Sequence, residues 1–248
     1  MRFKSLARLR APAACWRMIL NPFDIFAVAF FAVAWVGYAM AVEGWRGGRS
    51  LNGIMHDYRL RWMEQMLARE VRIIDTQIMA SLQNGTAFFA STSLLAVGGS
   101  LTLLRAADDI LRVFADLPLG IETQRGLWEM KVIGLAVIFV YAFFKFAWSY
   151  RLFNYAAILL GATPPAEQAQ SPEALRHARS VAGMATAAGR HFNRGQRAFF
   201  FALGYLGWFW SPSVFILSTA AVLVVMYMRQ FRSDGLRSVI ALADAGSA

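Results

Sequence analysis

The sequence predicts an all-α integral membrane protein: a four-helix bundle whose long helices extend beyond the bilayer on one side. Three observations carry this. Four long apolar runs lie near residues 25–42, 78–104, 128–148 and 198–228, each close to the roughly 20 residues that a helix needs to cross a hydrocarbon core about 30 Å thick. Of the 248 residues, 58% are hydrophobic and 16% charged, whereas a soluble domain averages about 45–50% and about 25%. Mean hydropathy is positive, at +0.44. Inside lipid each backbone N–H and C=O must be satisfied within the chain, so such runs become helices. The expected organisation is a basic arm (1–20), one four-span domain (21–233) and a flexible tail (234–248).

The arm carries Arg2, Lys4, Arg8, Arg10 and Arg17 with no acid. It lies on headgroups as an amphipathic piece, or it is a mobile tail whose charge sets topology. Asn21-Pro22 marks the start of the first span, because proline fits a first helical turn. From Asp57 onward, Met63, Met66, Leu67, Val71, Ile74 and Ile78 recur at spacings of three and four, with Arg61, Glu64, Arg69 and Arg72 on the other face. No helix breaker interrupts this pattern. The second span is therefore expected to be the upper part of one long helix.

Within that span lie Ser81, Gln83, Asn84, Gly85, Ser91, Ser93, Gly98, Gly99 and Ser100. Small residues allow close helix approach in membranes. Gln83 and Asn84 need partners, because an unpaired amide in hydrocarbon costs several kcal/mol. Residues 105–127 read as an acidic loop. In the third span Trp128 and Trp148 stand about 30 Å apart along a helix, the spacing of an aromatic belt at both faces. Lys131 and Lys145 each sit three residues inside a tryptophan, where they snorkel or pair in the interior. Pro164-Pro165 stops that helix, and Ser171-Pro172-Glu173 starts the next. Pro212 is expected to kink the fourth span.

Four spans put both termini on one side, and the basic first arm favours the cytoplasm. Net charge is +10, which in a membrane protein addresses anionic headgroups rather than nucleic acid. The single cysteine, Cys15, excludes an intrachain disulfide. The chain has no P-loop, zinc helix or nucleophile elbow, and His56, His177 and His191 share no ligand spacing. The expectation is no catalytic residue, no metal and no cofactor. One polar constellation remains: Arg72, Asp75, Gln83, Asn84, Lys145, Arg151, Asn154, Asn193 and Arg197. Such guanidinium and amide groups hold an anion or lipid headgroup, or form a salt-bridge network in which Asp75 neutralises Arg72 or Arg151.

The strings Arg61-Trp62-Met63, Ile78-Met79-Ala80-Ser81 and Phe88-Phe89-Ala90-Ser91-Thr92, with residues 143–155 and 192–199, resemble domain-of-unknown-function family 599. The likeness covers about residues 22–235. It implies a four-span membrane protein of bacteria and plants, here in the bacterial inner (plasma) membrane, and brings no activity or catalytic residue with it. The expected role is a non-enzymatic, multi-pass membrane component that associates with itself or with a larger complex. The alternative is a carrier or channel-like protein that binds a small anion or lipid headgroup.

Overall fold

Three helices begin with the same device, a polar cap followed by proline. Asn21 Oδ1 accepts from the Phe23 N–H at 3.0 Å, Ser171 Oγ from Ala174 at 3.1 Å and Ser211 Oγ from Val214 at 3.2 Å. Each satisfies a first-turn donor that the helix itself leaves unpaired. The structure is a computed structural model that describes residues 20–44, 51–116 and 124–245. Among these, eight α-helices follow in order: α1 (Pro22–Glu43), α2 (Leu51–Leu67), α3 (Ile73–Arg105), α4 (Ala107–Asp116), α5 (Arg125–Gly161), α6 (Pro172–Leu206), α7 (Pro212–Phe231) and α8 (Asp234–Ala245). The basic arm and Cys15 lie outside the described residues.

The antiparallel pair α5 and α6 forms the centre. Ser149 Oγ of α5 donates to the Ala188 carbonyl of α6 at 2.8 Å in a buried position. Helix α3 runs antiparallel along α5, with Phe89 stacked on Phe146. Helices α1 and α7 cover the other flank of α6. Phe31 of α1 meets Phe201 and Tyr205 of α6 and Phe215 of α7. Two cores result. One is aromatic and joins α1, α5, α6 and α7. The other is made of small residues: Ala174, Ala178, Ala182, Ala185 and Ala188 of α6 are buried against α2 and α5, where a short side chain lets helix axes draw close.

Four stretches are long and apolar enough to cross a membrane: Pro22–Glu43, Ile73–Arg105, Arg125–Gly161 and Pro212–Ile240. Each turns large apolar side chains outward, among them Val33 (72% exposed), Leu95 (76%), Val137 (61%) and Leu217 (70%). At 37 residues, α5 is about 55 Å long, well beyond one hydrocarbon thickness.

The structure departs from the sequence reading in six places. The long second helix breaks at residues 68–72. Periodicity runs through the break because both helices present an apolar face there, but Arg72 closes the turn by donating to the carbonyls of Thr163 and Pro164 at 3.0 and 2.6 Å. The fourth span, 198–228, is not one kinked helix. The chain reverses at residues 207–211, and Pro212 opens a new helix. Gly204 permits this hairpin: a Cβ there would lie 3.3 Å from the Thr219 Cα. Ser218 Oγ seals it by donating to the Gly204 carbonyl at 2.6 Å. As a result α1, α3, α5, α6 and α7 alternate in direction. The start of α1, where Asp24 meets Trp208, and the end of α7, where Arg229 stands beside Arg197, lie at opposite ends of the bundle instead of together.

The acidic loop contains a helix, α4, because Asp108 and Asp109 suit a first helical turn. The tail contains α8, capped by Ser233. Trp128 is no belt residue, for it is buried against Phe209. The small-residue face of α3 divides. Thr86, Ser93 and Ser100 are buried, each donating to its own helix's carbonyl four residues back. Gly85, Gly98 and Gly99 face open space.

Glycine at position 195 is set by a neighbour: a Cβ would sit 2.7 Å from two carbons of the Phe146 ring. Gly195→Ala should destabilise the bundle by about 1–3 kcal/mol through overpacking. Gly183→Ala, where a Cβ meets nothing, should stabilise it by about 0.5–1 kcal/mol. Unfolding of the two variants in mild detergent checks the opposite signs.

Candidate functional site

Helix α6 carries Arg190, Asn193, Arg194 and Arg197 at positions i, i+3, i+4 and i+7, so the four share one face. That face opens toward the end of α1 and the start of α2. Between them lies a cavity of about 590 Å³, lined by Glu43, Asn52, His56, Asp57 and Thr186 besides the four α6 residues. A second cavity of about 160 Å³ adjoins it, sharing Val42, Asn52, Asn193 and Arg197 and adding Tyr38, Arg229 and Gln230. Across the two cavities, four arginines face two carboxylates.

Glu43 shows what the site holds well. Its carboxylate lies between two guanidiniums: Arg194 Nε donates to Oε1 at 2.9 Å, and Arg197 Nη2 donates to the same oxygen. The Arg197 side chain is 9% exposed. Around this fork, His56 Nδ1 pairs with Thr186 Oγ1 at 3.0 Å. Asn52 Nδ2 donates to Gln230 Oε1 at 3.3 Å. The Nε2 group of Gln230 is buried and has no hydrogen-bond partner among the described residues. Arg190 and Arg229 form no ion pair with a described residue. Nearby, Arg59 of α2 presses on Gly189, and burial lowers its pKa from the ordinary arginine value. Guanidinium and amide donors thus converge on one space, the donor chemistry that suits an oxyanion.

The structure separates the nine residues singled out by sequence. Asn193 and Arg197 line the cavities. Arg72 is spent on carbonyls at the α2–α3 turn. Asp75 is fully buried and accepts from Trp62 Nε1 at 2.6 Å and from Arg69, so its cationic partner is Arg69 rather than Arg72 or Arg151. Gln83 Nε2 donates to Asn154 Oδ1 at 2.7 Å across α3 and α5, so the two amides partner each other. Asn84 instead lies exposed on the outer face of α3. Arg151 Nε donates to the Tyr155 hydroxyl at 2.6 Å, and Lys145 sits 5.1 Å from the centre of the Tyr141 ring.

Sequence reasoning missed Glu43, Arg190, Arg194 and Arg229. The signal was present for Arg190 and Arg194, whose helical spacing matches that of Arg197. It also missed a polar group at the opposite end of the bundle. There buried Asp24 accepts from Trp208 Nε1 at 2.7 Å. Lys131, 3% exposed, lies 5.4 Å from the centre of that same indole; it points inward and does not snorkel. Among the described residues no three of His, Cys, Asp and Glu gather as metal ligands.

The fork gives a graded prediction. In double-mutant cycles read by unfolding in detergent, Glu43 and the enclosed Arg197 should couple by about 2–3 kcal/mol. Glu43 and Arg194, which is one-third exposed, should couple by about 1 kcal/mol or less.

Comparison with curated proteins and with solved structures finds no match to the chain. A family model does match, over residues 26–235. That stretch takes in the whole five-helix arrangement apart from the first turn of α1, and with it the arginine face of α6. The chain therefore belongs to the family described as Protein of unknown function, DUF599.

Proposed function

We propose that this is a multi-pass protein of the bacterial plasma membrane that binds an oxyanionic group, phosphate foremost, in its arginine cavity and performs no chemistry on it. Outward Val33, Leu95, Val137 and Leu217 support the bilayer setting, since soluble surfaces rarely carry broad apolar faces. Helix α1 has 22 residues, about 33 Å, so Glu43 at its end falls at headgroup depth. The observation that carries the reading is the Glu43 carboxylate held between Arg194 and Arg197. It is an oxyanion already in place, with Arg190, Arg229 and Gln230 Nε2 beside it to receive another.

Purified protein in mild detergent, titrated with inorganic phosphate, should gain thermal stability at constant ionic strength. Arg190→Gln with Arg197→Gln should weaken that response at least tenfold, the scale of one lost charge-assisted hydrogen bond of about 1.5–3 kcal/mol. Arg151→Ala, outside the lining of either cavity, should leave it unchanged. Equal stabilisation by chloride, or an unaltered response in the double variant, rejects the reading.

The Glu43 end belongs in the cytoplasm on this reading. The described residues at that end include Arg61, Arg69, Arg72, Arg176, Arg179, Arg190, Arg194, Arg232 and Arg237, against Arg105, Arg112 and Arg125 at the other, a positive-inside signal that outweighs the arm. The four-span reading favoured the opposite sense because it took the basic arm as decisive and counted Arg229, Arg232 and Arg237 on the arm's side. In a Cys15→Ser background, a cysteine at exposed Gln168 should resist a membrane-impermeant maleimide in intact spheroplasts and react after permeabilisation. Labelling before permeabilisation reverses the orientation.

A further inference from the structure

The smaller polar cavity does not end at Arg229. Gln196, Phe200 and Arg229 line it and also line an apolar groove of about 280 Å³, completed by Phe89, Phe199 and Leu203. The groove runs along α6, with α3 on one side and α7 on the other. From Gln196 to Leu203 it follows two turns of helix, about 10 Å. Leu203 is 59% exposed, so the groove opens sideways, on the surface that the apolar helices turn outward. Arg229 stands at the junction with its guanidinium 5.1 Å from the centre of the Phe200 ring. The two spaces thus adjoin across shared walls, one lined by arginines and amides and the other by aromatic and aliphatic carbon.

A free anion uses only the polar one. A molecule with an anionic head and an apolar chain uses both. We propose that the adjoining cavity and groove hold one anionic phospholipid, its phosphate among Arg197, Arg229 and Gln230 and one acyl chain along Phe199, Phe200 and Leu203. This rests on the oxyanion reading of the cavity and adds the class of ligand. Charge complementarity selects the head: among the described residues Arg229 is free of any ion pair, and the buried donor of Gln230 is unmatched. Headgroup depth and a side opening supply the route, because a lipid arrives from the bilayer without leaving it.

Native mass spectrometry of the delipidated full chain, titrated with phosphatidylglycerol or phosphatidylcholine, tests it. Wild type should hold one phosphatidylglycerol with at least tenfold preference over phosphatidylcholine. Leu203→Trp fills the groove and should lower that retention at least tenfold, while the stabilisation by inorganic phosphate stays intact. Leu95→Trp, on the outer face of α3, should change neither. Arg229→Gln should remove the preference between the two lipids. Phosphate stabilisation without lipid retention overturns the lipid and leaves the oxyanion reading standing. Loss of both responses overturns both. Equal retention by Leu203→Trp and wild type, or equal losses in Leu203→Trp and Leu95→Trp, assigns the lipid to the general apolar surface and overturns the groove.

Discussion

The structure depends on the shielding of one helix. Helix α6 carries five cationic or amide residues in two turns, alongside helices whose outer faces are apolar. A charged side chain in a low-dielectric setting is costly unless it is paired or reaches water. Here α1, α2, α5 and α7 surround α6, and Glu43 neutralises its most enclosed arginine. The apolar helices thus act as a sheath, and the polar helix can be central because it meets so little of the outside. This explains why hydropathy finds four stretches where the architecture has five long helices.

The register of α6 divides the molecule. Its first half is alanine every third or fourth residue, fitting closely against α2 and α5. Its middle is the arginine face. Its last turns are Phe201, Tyr205 and the approach to Trp208, buried in the aromatic core. Small, charged and aromatic segments therefore follow one another along a single rod, and each recruits different neighbours. The two ends of the bundle differ accordingly. One closes on Asp24, Trp208 and Lys131, and the other opens into the arginine cavity.

Much of the fold is legible in the residues. Apolar runs, the proline-bearing caps at Asn21 and Ser171 and the stop at Pro164-Pro165 locate most of the helices. What the pattern hides is reversal. An apolar run from 198 to 228 reads alike whether it crosses once or folds back, because hydropathy has no sign for direction. The glycines that permit the hairpin, Gly204 and Gly207, differ in no visible way from the exposed Gly98 and Gly99. The break before α3 is hidden for a related reason: Arg72 acts through carbonyls 91 and 92 residues away. The candidate site was half legible. Asn193 and Arg197 came from their position near an expected interface. Glu43 and Arg229 lie on other helices, and only the hairpin brings Arg229 to the cavity.

The buried hydroxyls of α3 have one more consequence. Thr86, Ser93 and Ser100 stand seven residues apart along the seam with α5 and turn back on their own helix, so they tie nothing across it. The polar bonds found across that seam lie toward its extremities, at Gln83 with Asn154 and at Trp128 with Leu103. Between them the two helices meet through side-chain packing, with Phe89 stacked on Phe146. The middle of the α3–α5 joint therefore owes its strength to side-chain fit rather than to polar ties, and Phe89, in ring contact with Phe146, Phe192 and Phe199, is the wedge that sets its register.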